Sequence, residues 1–220
     1  MGYLAAYDNT TGTDIVAVGK SCLESNTTGT GNVAVGRYTM AANTTGTANT
    51  AMGAYDGVNG FQPALRYNTT GSENTAIGAG ALAANTTHDG NTAVGHGALL
   101  SATTNLNCAM GFEAGKAVTT GNANVIIGAE AATAVTSGGA NVFVGYKAGT
   151  YLNPHTTGAG NTIVGSFSFT GTATGAAAQG LGHSLECASG YTTLGYASTD
   201  IRAANGSTTC LLYTSPSPRD

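Results

Sequence analysis

Two glutamates give this chain its sharpest chemical pairing. Glu113 and Glu130 each stand two residues after a glycine that closes a recurring Asn-x-x-x-Gly pentapeptide, and Lys147 holds the same slot one repeat later. If successive repeats stack as strands do, about 5 Å apart, the two carboxylates reach the separation at which retaining glycosidases use one as nucleophile and the other as acid. A solvated surface column competes with that reading, because no pocket is legible around the pair. The histidines His88, His96, His155 and His183 have no metal-ligand spacing, and Cys22, Cys108 and Cys187 form no Cys-x-x-Cys pair. Ser184 beside His183 lacks the strand-turn-helix setting of a nucleophile elbow. Gly78/Gly80 and Gly180/Gly182 lack the strand-to-helix setting of a dinucleotide loop. The chain reads as non-enzymatic, without cofactor or metal.

Binding chemistry is more visible where the repeat is broken. Relative to residues 37–40, residues 56–63 are inserted after Tyr55, and residues 152–154 follow Tyr151 as a second insertion. Insertions in repeat arrays map to loops, often on a binding face. Tyr55, Phe61 and Tyr67 around the first, with Tyr146 and Tyr151 near the second, are the candidate contacts. The plain alternative is a tolerated surface loop with incidental aromatics.

The repeat itself must position all of these. Asn-(Thr/Val/Cys)-(Ala/Ile/Phe)-(Val/Met/Ile)-Gly begins at Asn32, Asn49, Asn74, Asn91, Asn107, Asn124, Asn141 and Asn161, after a degenerate copy over residues 15–19. Steps between the closing glycines are 17, 17, 25, 17, 16, 17, 17 and 20 residues. Such self-similarity signals a solenoid. The pentapeptide reads as a short strand ended by a turn glycine. An Ala-Leu-like pair (Cys22-Leu23, Ala81-Leu82, Ala98-Leu99) reads as a second, weaker strand. Asn-Thr-Thr-Gly then returns the chain, its Asn and Gly suited to left-handed geometry. The expected fold is all-β, a parallel β-roll or β-solenoid of 17-residue rungs, about eleven of them over roughly 50 Å. Residues 1–8 lead in, 9–169 form the regular array, and 170–209 hold degenerate copies around Leu181-Gly182 and Leu194-Gly195.

Alternation places Val33 and Val35 on one strand face and Ala34 on the other. Both faces are apolar, so one roll interior leaves a second face over. That second face is assigned to Ala51 and its equivalents and predicts association with copies of the same chain. The eight motif asparagines should form a column of stacked amides. Asn9, Asn26, Asn43, Asn68 and Asn85 also open Asn-Thr-Thr glycosylation sequons, but the sequon follows from the turn chemistry. Cys22 and Cys108 read as small buried hydrophobes. Adjacent Thr27 and Thr28, followed by Gly, point to opposite sides of a turn and argue against an ice-binding array.

Composition narrows the class further. Of 220 residues, 41% are hydrophobic and 34 are glycine, unlike the apolar-poor, highly charged chains that stay disordered. Seven Lys and Arg with a net charge of −4 give no electrostatic footprint for nucleic acid. No run of 18 apolar residues occurs, so no membrane segment is expected, and residues 1–8 lack the pattern of a signal peptide. The last eleven residues, 210–220, look like a translated transposase sequencing adapter. The natural sequence is expected to leave this one after Thr209 and to continue into further domains.

Ser/Thr-x-Ala-(Ile/Val)-Gly-x-x-(Ala/Ser) at regular spacing resembles the head repeats of trimeric autotransporter adhesins. The longer unit, Asn74 to Gly78 with Ala81-Leu82 and Asn85-Thr86-Thr87, also looks like repeats of phage tail-fibre and related surface-fibre proteins. The resemblance covers about residues 9–169, and the period is longer than that of adhesin heads. It implies a left-handed roll assembled as a homotrimer, extracellular, on a virion tail fibre or a bacterial cell surface. Its role would be structural and adhesive, spacing and displaying a surface for a host-surface glycan or protein receptor. The alternative is a glycan-processing tailspike using Glu113 and Glu130.

Overall fold

The computed structural model describes residues 2–55, 60–150, 156–196 and 199–205. Its regular elements are all strands. Nine three-residue strands lead: β1 Val16–Val18, β2 Val33–Val35, β3 Thr50–Met52, β4 Thr75–Ile77, β5 Thr92–Val94, β6 Cys108–Met110, β7 Val125–Ile127, β8 Val142–Val144 and β9 Thr162–Val164. Then come β10 Phe169–Thr170, β11 Gln179–His183, β12 Glu186–Cys187, β13 Tyr191–Tyr196 and β14 Thr199–Ala204. Twelve strands form one sheet in the order β1 to β9, β11, β13, β14, and β10 pairs with β12 in a second sheet.

Neighbours are parallel and matched residue for residue, Ala34 to Ala51, Ala51 to Ala76, Ile126 to Phe143, Val164 to Leu181 and Leu181 to Leu194. Among the described residues, only β13 and β14 run antiparallel. The chain is therefore a parallel β-solenoid with one rung per repeat, and the 25- and 20-residue steps leave the register intact. Spacing is enforced at the closing glycine. Gly53 sits at φ +147°, and a Cβ there would lie 2.6 Å from the carbonyl carbon of Gly78 on the next rung. Glycine alone lets the backbones approach this closely.

The strand faces are the reverse of the sequence-based expectation. Ala34, Ala51, Ala76, Ala93 and Ala109 are fully buried and form the interior, whereas Met52, Ile77, Met110 and Ile127 point outward and are exposed. The rung is narrow, and Met40, Leu65, Leu82 and Leu99 fill it from the opposite side, so the strand has room only for small side chains there. Cys108 shares the outward register of Thr92 and Val125 and is half-buried, not interior.

The second strand expected at the Ala-Leu pairs is instead a ribbon of overlapping turns. Thr39, Ala41 and Asn43 donate to the carbonyls of Gly36, Tyr38 and Met40, each three residues back. Tyr38 donates to Lys20 on the rung before, and Met40 and Ala42 donate to Ala64 and Arg66 on the rung after. Every N–H from Tyr38 to Asn43 is thus used. The geometry puts alternate residues at positive φ, among them Tyr38 (58°), Met40 (50°), Leu65 (48°), Leu82 (50°) and Leu99 (48°). Non-glycine residues rarely adopt that region; inter-rung hydrogen bonding holds them in it. Among the described residues, true strands replace the ribbon only at β10 and β12.

Two asparagine columns line the turns. Down the motif column, the backbone N–H and Nδ2 of Asn49 both donate to Asn32 Oδ1 (3.0 and 3.2 Å), and Asn74 treats Asn49 in the same way. The pattern continues through Asn91, Asn107, Asn124, Asn141 and Asn161, and the N–H of Ala178 satisfies the last oxygen. The return-turn asparagines form a second column. Asn26, Asn43, Asn68 and Asn85 each donate Nδ2 to the preceding oxygen at 2.8–2.9 Å. These four are fully buried with each Nδ2 engaged, a poor posture for glycosylation. They are not left-handed, contrary to the turn expectation. Positive φ falls on the residue before each motif asparagine, as at Ala48 (54°) and Ala123 (55°).

Candidate functional site

Chemistry concentrates on the ribbon face, in the first two residues after each closing glycine. The second of these slots runs Gly80, Gly97, Glu113, Glu130, Lys147, Phe167, Ser184 down the stack, all at positive φ between 53° and 77°. Glu113 and Glu130 are thus column neighbours. Each is paired with a lysine: Lys116 Nζ lies 2.8 Å from Glu113 Oε1, and Lys147 Nζ lies 3.3 Å from Glu130 Oε2. Lys147 is held above its ordinary value of 10.5, by Tyr146 first and Glu130 second. A lysine kept protonated serves as an ion-pair partner and not as a base. The observed arrangement is a row of surface ion pairs.

The candidate aromatics do not converge. Tyr55 and Tyr67 are exposed near the first insertion, and Tyr146 lies several rungs further on. Tyr151 lies outside the described residues, as do residues 56–59 of the first insertion, residues 152–154 of the second, His155 and residues 206–220. Phe61 is a docked residue. Its ring lies 4.2 Å from that of His96, which stacks on Phe112 at 5.7 Å, and Lys116 Nζ sits 5.5 Å from the Phe61 ring centre. Space for it comes from Gly80 and Gly97. A Cβ on Gly80 would strike Phe61 Cδ1, and one on Gly97 would come within 2.7 Å of Cε1. The glycines beneath this inserted segment are its seat.

Reading the insertions alone missed most of this face. Tyr146, Phe167, His183 and Tyr196 form a ladder of ring contacts at 5.1, 5.7 and 5.2 Å. Among the described residues, five cations stack on rings: Lys20 on Tyr3, Arg37 and Arg66 on Tyr38, Arg66 also on Tyr67, Lys116 on Phe61 and Lys147 on Tyr146. Aligning the repeats by column, not by insertion, would have exposed the pattern, because all of these residues except the inserted Phe61 fall one, two, five or six places after the glycine once residues 56–63 are set aside.

Opposite lies the outer sheet face. Its two columns read Val16, Val33, Thr50, Thr75, Thr92, Cys108, Val125, Val142, Thr162 and Val18, Val35, Met52, Ile77, Val94, Met110, Ile127, Val144, Val164. Neither column contains a charge. Among the described residues, no helix is long and apolar enough to cross a membrane, and no cluster of three His, Cys, Asp or Glu could hold a metal. No family model, no curated protein and no solved structure matches this chain.

Proposed function

We propose that the chain is a structural and adhesive fibre segment, a homotrimer in which each roll covers its outer sheet face with another copy. The observation that carries this reading is the uncharged face of β1 to β9, with Val18, Met52, Ile77, Met110 and Ile127 left 38–48% exposed. Parallel sheets are ordinarily covered on both faces, and a contiguous apolar stripe marks an association surface. The ribbon face remains outward and displays the variable side chains to a host-surface glycan or protein receptor. The repeat's resemblance to adhesin heads and tail fibres supports an extracellular place on a virion or bacterial surface, and a left-handed roll. Sedimentation equilibrium of the purified chain should give three subunit masses, and Met52→Glu with Ile127→Glu should reduce it to one. A single subunit mass for the unaltered chain would refute the assembly. Cys108, on the same face, should resist alkylation in the assembly and react in the charged variant.

A further inference from the structure

We infer that the ribbon face around Arg37 and Arg66 is a binding site for an acidic polysaccharide, one whose sugar rings carry carboxylates or sulfates. The inference deepens the receptor-display reading and rests on it.

Charge pairing divides the five ring-stacked cations. Lys116 and Lys147, on the later rungs, each have a carboxylate within 3.3 Å. Lys20, Arg37 and Arg66 have no ion pair among the described residues, and neither guanidinium makes a side-chain hydrogen bond there. Both guanidinium carbons lie 5.0 Å from the ring centre of Tyr38. Two positive charges are therefore held within about 10 Å of each other on one aromatic anchor. Stacking occupies the flat faces of a guanidinium and leaves its in-plane N–H groups for an anion, the fork geometry that suits carboxylate and sulfate oxygens.

Position fits the same ligand. Arg66 also lies over Tyr67, 5.6 Å from its centre, and Tyr67 is 45% exposed. Tyr55 is 46% exposed on the same rung as Arg66 and Tyr67, and Lys20 lies 5.9 Å from the Tyr3 ring on the rungs before. Open rings with a hydroxyl at the rim suit the amphipathic face of a sugar. A nucleic-acid strand fits less well. It carries a charge on every nucleotide and requires a continuous basic track, whereas this face turns to paired Glu-Lys rungs beyond Phe61. Tyr38 is already engaged by both guanidiniums, so it offers no free platform for a base.

The test uses the full chain with polygalacturonate, dextran sulfate and neutral dextran as probes, and single-stranded DNA as a fourth. Binding of polygalacturonate, dextran sulfate or both is expected, and the pattern tells carboxylate from sulfate recognition. Neutral dextran should not bind. Arg37→Gln with Arg66→Gln should weaken binding by about tenfold or more, while Lys116→Gln should leave it within about twofold. Arg37→Lys with Arg66→Lys keeps the charges and the fold, and should still lose most of the affinity because the stacked fork is gone. Failure of both acidic polymers to bind would overturn the site. Equal losses from Lys116→Gln, full retention by the lysine variant, or equally tight binding of DNA would do so too. Sedimentation of the same samples separates the two proposals. A trimer that ignores both polymers defeats the site alone, whereas a single subunit that binds them defeats the assembly alone.

Discussion

In the rungs from Asn32 to Leu99 the strand contributes alanine to the interior and the ribbon contributes Met40, Leu65, Leu82 or Leu99; from Asn124 to Gly149 the strand contributes Ile126 or Phe143 and the ribbon Ala132 or Gly149. The return turn changes with them. Asn43, Asn68 and Asn85 are buried there in the first block, Val135 in the second and Val118 in the rung between them. Register runs through the boundary undisturbed. What is held constant is therefore the filled volume of a rung and not the residue in any slot. A Cβ on Gly149 would come within 2.6 Å of Phe143 Cδ1, so a large strand residue requires a small ribbon partner. Between the blocks Ala109 and Gly115 are both small, and neighbours lean in: a Cβ on Gly115 would meet Ile126 Cδ1 at 2.8 Å and Leu99 Cδ2 at 3.1 Å. The boundary also leaves a defect. Ala102 replaces the next turn asparagine, and Asn85 Oδ1 is buried without a hydrogen-bond partner among the described residues.

The largest effect should come from exchanging one filling for the other. Phe143→Ala is expected to lower unfolding free energy by about 3–5 kcal/mol. Gly149→Leu alone should also destabilise, because the new side chain meets the Phe143 ring. Together they reproduce the alanine-leucine filling of the first block, in a slot where Leu82 and Leu99 already tolerate positive φ. The double variant should recover about 1 kcal/mol or more relative to the sum of the single losses. Urea unfolding of the four proteins decides it, and simple additivity would break the volume-matching account.

Asn68→Val places the second block's residue type in the first block's ladder. It removes donation to Asn43 Oδ1 and Gly71 O (both 2.8 Å) and acceptance from Asn85 Nδ2 (2.9 Å). Burying those partners unpaired should cost about 2–4 kcal/mol, and a loss near zero would mean that the column carries no stability. Ala102→Asn extends the ladder by one rung onto the orphaned Asn85 oxygen. A gain of about 1 kcal/mol is expected in the same assay; destabilisation would show that the apolar turn begins at 102 for packing reasons.

The smallest effect reports on the first block alone. Cys22 donates to Ala34 O at 3.1 Å, and burial pushes its thiol from an ordinary 9.0 up to about 11. The folded chain thus holds this proton more tightly than the unfolded one. Stability is full below pH 9 and falls as pH rises toward 11. Cys22→Ala should flatten that slope, and Cys22 should alkylate far more slowly than Cys108 in the charged, dissociated variant. Equal reactivity of the two thiols there would contradict the burial of the first block.

Period, rung and strand position were all readable from Asn-x-x-x-Gly, because a stacked array must repeat its hydrogen-bonding groups at each turn. The motif asparagines and the Glu113, Glu130, Lys147 slot were located the same way. The binding face was legible only in part. Tyr55 and Tyr67 stood out beside an insertion, whereas Arg66 lies one rung beyond Arg37 and Tyr38 and becomes their neighbour only when the stack forms.

Sequence alone established an all-β repeat and the column to which each residue belongs. Which strand face turns inward was decided by the tertiary structure, since Ala51 and Met52 are both apolar and hydrophobicity cannot rank them. The leucines of the opposing ribbon settle it by leaving room for alanine only. That ribbon was itself hidden, because nothing local to Ala81-Leu82 asks for positive φ; hydrogen bonds to the rungs above and below impose it. The seat of Phe61 on Gly80 and Gly97 depends likewise on a contact between distant residues. The glutamates that first suggested catalysis are, in the folded chain, held by Lys116 and Lys147.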